Sequence, residues 1–211
     1  MRLAYWFQFG IKTLVTIAGA CAIYGFLIWI QMDADFLEFL GMSAPLMMIF
    51  FGAVMLFAFG TAQYRMALNL SLSFGSTRRE AMVGLHLYRL IPAIGVTALA
   101  VLIPLAFGQE LLFGTRATIL VGVGIMLLGS AVGMMTGLID LRFGKAVSII
   151  VCVLIVLAGS ICGGFAIISA DEVTSFVGQL PMSILFALAG VGAYLLVSIP
   201  EVLAVRRLQL K

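Results

Sequence analysis

The sequence predicts an all-α integral membrane protein with six transmembrane helices, and three observations lead there. Of its 211 residues, 64% are hydrophobic and only 10% are charged, where soluble domains carry about one quarter charged residues. The mean hydropathy is +1.23. The apolar residues also collect into six runs of about 17 to 23, long enough at about 1.5 Å per residue to cross most of a hydrocarbon core about 30 Å thick. One membrane domain, residues 1–211, then uses the whole chain.

Residues 1–12 mix Arg2 and Lys12 with Tyr5, Trp6, Phe7 and Phe9. Aromatic rings and cationic tips are both satisfied among headgroups, so a short N-terminal interfacial helix is expected. The first span covers 13–30 and has no convincing small-residue cleavage site, so it reads as retained. Its exit, 31–42, holds Asp33, Asp35 and Glu38 and no basic residue, and reads as a loop. The second span, 43–62, is followed by Gln63, Arg65 and Asn69, which carry the helix out of the bilayer toward Phe74.

The most charged stretch follows, Ser71 to Arg89. Gly75 is a helix stop because it tolerates positive φ, and Thr77 with Glu80 three residues later is a capping box that starts a new helix. Met82, Leu85 and Leu87 lie among Arg79, Glu80, His86 and Arg89. Such a helix lies across a membrane surface or docks on a partner.

Pro92 opens the third span, 92–108, at a position where its missing N–H does least harm. The fourth span, 117–139, and the fifth, 146–168, flank a tight turn with Asp140, Arg142, Gly144 and Lys145. Between the fifth and the sixth span, 182–200, Ser169 and Glu172 form a second capping box. Val173, Phe176, Val177 and Leu180 follow at helical spacing, so a short extracellular helix is expected, either roofing a cavity or lying on the surface as a linker. A basic tail with Arg206, Arg207 and Lys211 ends the chain.

This layout puts 11 of the 12 Lys and Arg on one side, with Arg116 opposite. By the positive-inside rule both termini are cytoplasmic. Six of the nine acids fall on the other side, leaving Glu80, Asp140 and Glu201 with the basic residues.

Gly129, Gly133 and Gly137 repeat every four residues on span four, and Gly159 and Gly163 do so on span five. Small residues at this spacing let helix backbones approach closely in lipid, within one subunit or between two. Cys21, Cys152 and Cys162 all sit in apolar runs and read as inert core thiols.

The spans as drawn contain no Asp, Glu, Lys, Arg or His, which argues against ion-coupled carriers and intramembrane hydrolases, both of which need ionisable groups at depth. The single His86 reads as a surface or interface residue. No Gly-x-x-x-x-Gly-Lys-Ser/Thr loop occurs, and no Cys/His set suggests a metal site, so neither catalytic residues nor a bound cofactor are expected in this chain.

Ser73-Phe74-Gly75-Ser76-Thr77-Arg78-Arg79-Glu80, with Gly84 four residues on, resembles the cytoplasmic loop of bacterial ABC transporter permeases of the type-2 exporter class. The order of an interfacial helix, six spans and a short helix before the last span is similar to that family too. The resemblance implies that the connector is a coupling helix seated in a groove of a separate ABC ATPase subunit, which binds ATP and Mg. Gly75, Thr77, Arg78, Arg79, Glu80, Met82, Gly84 and Leu85 would form that docking element, Arg78 and Arg79 pairing with acids and Met82 or Leu85 filling the groove. Alternatively the arginines only hold the connector at the anionic leaflet, at about 1 kcal/mol each. It further implies a second permease copy or paralogue, a site in the bacterial cell membrane, and export of an amphiphilic peptide or lipid-like substrate. Nucleic acid is not an expected partner. A non-transporting scaffold or sensor that docks a soluble regulator through the same connector is the other class compatible with these features.

Overall fold

The structure is a computed structural model and describes residues 2–32, 35–73, 77–155 and 180–207. All regular structure among them is helical: α1 (Arg2–Met32), α2 (Phe36–Met42), α3 (Ala44–Ser73), α4 (Arg78–Ala106), α5 (Gly114–Phe143), α6 (Lys145–Ile155) and α7 (Leu180–Arg207). Five of these are long and apolar enough to cross a membrane: α1, α3, α4, α5 and α7. The expected fifth span is represented by α6, the described part of 146–168, so six spans are not what the described residues contain. The helix expected over 170–179 lies outside them.

Three boundaries differ from the sequence reading, each for a local reason. The N-terminal interfacial helix is not a separate element, because nothing between Lys12 and Thr13 breaks a helix and α1 runs unbroken through 31 residues. At about 1.5 Å per residue it is some 46 Å long, which exceeds the hydrocarbon core by several turns. The connector helix likewise does not lie apart from span three. Pro92 is inside α4, which is a single helix of 29 residues. A proline removes one backbone bond but does not stop a helix held on both sides by neighbours. Finally, the acidic exit read as a loop holds the short α2, whose Phe39, Leu40 and Gly41 are buried.

The spans pack around α5, which lies against α3 on one side and α7 on the other, while α4 bridges α1, α3 and α5. Glycine allows these approaches. A Cβ on Gly129 would come within 2.6 Å of the Ala53 carbonyl oxygen and one on Gly133 within 2.9 Å of that of Phe57, both on α3. Gly137, also on α5, is buried. Gly129 and Gly133 therefore pack within the chain, and Gly159 and Gly163 lie outside the described residues. The seam with α7 uses a pair that the four-residue repeat does not mark: a Cβ on Gly190 would overlap the backbone of Gly124.

Polar side chains add to the seams. The Thr61 and Thr136 hydroxyls are 2.7 Å apart across α3 and α5. After α5 the chain reverses at Gly144, whose φ of 88° favours glycine, and Ser148 of α6 donates to the Thr136 carbonyl at 3.2 Å. Interhelical hydrogen bonds of this kind are worth about 1 kcal/mol in lipid. At the end of the bundle away from the connector, Trp29, Phe36 and Phe107 form an edge-to-face chain that ties α1, α2 and the end of α4 together.

Candidate functional site

The connector end of the bundle is where charge, capping and buried polar groups converge. Thr77 is extended and caps α4: its N–H donates to Glu80 Oε2 at 2.8 Å, and the Glu80 N–H donates to Thr77 Oγ1 at 3.2 Å. Both halves of the box are present, which fixes the first turn of α4 and adds a carboxylate at its positive end. Gly75 lies outside the described residues, and Arg78 is the first residue of the helix.

From this start the helical period sorts the side chains. Ala81, Leu85 and Tyr88 face inward and form a cluster with Trp6 of α1, with Met82, Leu138 and Leu141 packed around it. Tyr88 also stacks on Phe9 with ring centroids 4.9 Å apart. Leu85 is 0% exposed, so it fills the chain's own core and leaves no surface for a partner's groove. Gly84 is buried too, because a Cβ there would collide with the Trp6 indole. Arg79 and Val83, four residues apart, are exposed on the other face.

One turn further along α4 is a constellation that the sequence reading missed. Arg89 Nη1 donates to both carboxylate oxygens of Glu201 on α7, at 2.8 and 3.1 Å, with side chains only 3% and 2% exposed. His86 Nδ1 lies 2.8 Å from the Tyr194 hydroxyl, also on α7. The charges of Arg89 and Glu201 act on both His86 and Tyr194, so the four form one electrostatic unit. Leu90 packs beside it against Tyr194 and Leu127.

His86 is therefore a half-buried, hydrogen-bonded residue where α4 meets α7. Helices long enough to span do carry ionisable groups, because α4 and α7 continue through Pro92 and Pro200 where the sequence reading ended its spans. One signal pointed this way. Glu201 is one of only three acids on the basic side, an isolated carboxylate next to an apolar run.

Fold and site together define a multi-pass, all-helical membrane protein with a capped, charged connector joined to a buried ionic network. No protein-family model matches the chain, and neither a curated protein nor a solved structure shows significant similarity to it.

Proposed function

We propose that this chain is the membrane-spanning permease subunit of an ATP-driven exporter, taking its energy from a separate ABC ATPase that docks on the start of α4. The observation that carries this reading is the continuity of α4. Its capped first turn belongs to the same helix that reaches Ala106, so a displacement applied at Arg79 is delivered into the bilayer and is not absorbed by a loop. The docking face is narrower than the connector as a whole: Arg78, Arg79 and Val83 meet the ATPase, Thr77 and Glu80 hold the turn, and Gly84 and Leu85 anchor it to Trp6. Anchors of this kind, a few side chains on a rigid surface, provide most of the energy of a specific interface.

In this reading the protein sits in a bacterial cell membrane with both termini cytoplasmic. ATP and Mg belong to the partner, two permease halves enclose the route, and the cargo is an amphiphilic peptide or lipid-like molecule. The test is affinity purification from native membranes followed by ATP turnover in nanodiscs. An ATPase subunit should copurify, and Arg78→Glu with Arg79→Glu should abolish its association without lowering expression. A folded protein that retains no ATPase would overturn the proposal in favour of the scaffold or sensor, and undiminished association in the double variant would assign the arginines to the lipid surface.

A further inference from the structure

In the half of the bundle away from the connector, an apolar cleft of about 260 Å³ runs between α4 and α5. Thr97 and Val101 are buried at its floor, while Ile94 and Leu102 of α4 and Ile119 of α5 stand exposed along its rim. The two helices close on each other at Gly122, where a Cβ would meet Thr97 Cγ2 at 2.8 Å. Val123 ends the cleft on the connector side, where it packs with Leu127 and Tyr194. The one polar side chain in the lining is already satisfied, since Thr97 Oγ1 donates to the Ala93 carbonyl at 2.9 Å. A water held inside a protein needs two or more polar partners, so this space suits a hydrocarbon chain and not water.

A charge stands at the mouth of the cleft. Arg116 shares a face of α5 with Ile119 and Val123, at positions i, i+3 and i+7. It lies about 10 Å along the helix from Val123, and helical side chains lean toward the N-terminus, which places the guanidinium at headgroup level. Arg116 is exposed, and among the described residues no carboxylate pairs with it. The other described charged residues at that end, Asp35, Glu38 and Glu110, are acidic, so attraction for an anion is confined to Arg116.

We propose that this cleft is a binding site for an anionic phospholipid of the leaflet away from the connector, with one acyl chain lying between α4 and α5 and the phosphate paired with Arg116. The guanidinium offers parallel N–H donors that match two phosphate oxygens. A zwitterionic headgroup brings a cation of its own, which repels Arg116 and weakens the pairing, so the net negative headgroup is preferred. Charge above and hydrocarbon below, on one helix face, fit an amphiphile better than a second copy of the chain, which would have to present an acid and an apolar ridge together. The site does not depend on the docking of an ATPase.

Native mass spectrometry of the full-length chain, delipidated in detergent and titrated with phosphatidylglycerol or phosphatidylcholine, tests this. One phosphatidylglycerol should be retained per chain, about tenfold more tightly than phosphatidylcholine, the weight of one charge-assisted hydrogen bond. Arg116→Gln should erase that preference. Ala98→Phe fills the cleft from an exposed position and should remove the retained lipid. Leu188→Phe, on the exposed face of α7, should change neither result. Where Ala98→Phe does not fold, a photoactivatable residue at position 119 reads the occupant directly and should capture phosphatidylglycerol. Equal retention of the two lipids, a preference that survives Arg116→Gln, or retention undiminished in Ala98→Phe overturns the proposal. Capture of a second copy, or of residues 156–179, in place of the lipid overturns it as well.

Discussion

The indole of Trp6 occupies the space that a side chain on residue 84 would need. Trp6 is 1% exposed, and a Cβ built on Gly84 overlaps its ring. The N-terminal helix and the connector are thus joined by a ring seated on a bare helix surface.

This fit predicts a sharp size dependence. Gly84→Ala should cost about 1–3 kcal/mol as the ring is displaced, despite the helix propensity that alanine adds. In a Trp29→Phe background the Trp6 emission should shift to the red while the Tm in detergent falls. Combining Gly84→Ala with Trp6→Phe should be less damaging than the sum of the two, since the smaller ring leaves room for the methyl group.

The buried ion pair should behave asymmetrically. Either Glu201→Leu or Arg89→Met alone leaves a buried charge uncompensated and should cost about 3–5 kcal/mol, whereas the double replacement should recover most of the loss. Chemical unfolding in mixed micelles reads this directly. Equal losses in the singles and the double would show that the pair acts through its packing and not its charge.

Removal of the cap should be felt locally. Thr77→Ala loses the acceptor for the Glu80 N–H and should cost about 1 kcal/mol, while Thr77→Ser keeps it. Hydrogen exchange at the Glu80 amide should accelerate in the alanine variant only, with the amides beyond Pro92 unchanged.

The two glycine seams should differ in tolerance. A Cβ at Gly190 meets the Gly124 backbone, while one at Gly52 meets the side chains of Val96, at 2.9 Å, and Met126, at 3.2 Å. Side chains can turn aside and a backbone cannot. Gly190→Ala should therefore force α7 from α5 and lower the Tm by more than Gly52→Ala does.

The sequence by itself determined the class of the protein, the positions of most spans and the capped start of α4. These are local properties: hydrocarbon length is written in consecutive apolar residues, and a capping box needs only Thr77 and Glu80 three positions apart. Close packing at Gly129 and Gly133 was legible in the same way, because their four-residue spacing is one helical turn. Tertiary structure alone decided that Arg89 meets Glu201 across 112 positions, that His86 meets Tyr194 across 108, and that Gly124 faces Gly190. Charge counts place such residues at span ends, where water would satisfy them singly. Only the packing of α4 beside α7 takes that water away and makes each the other's partner. Both helices also continue through Pro92 and Pro200, where the sequence reading had placed span boundaries. The charged connector is thereby joined to the membrane helices as one continuous element.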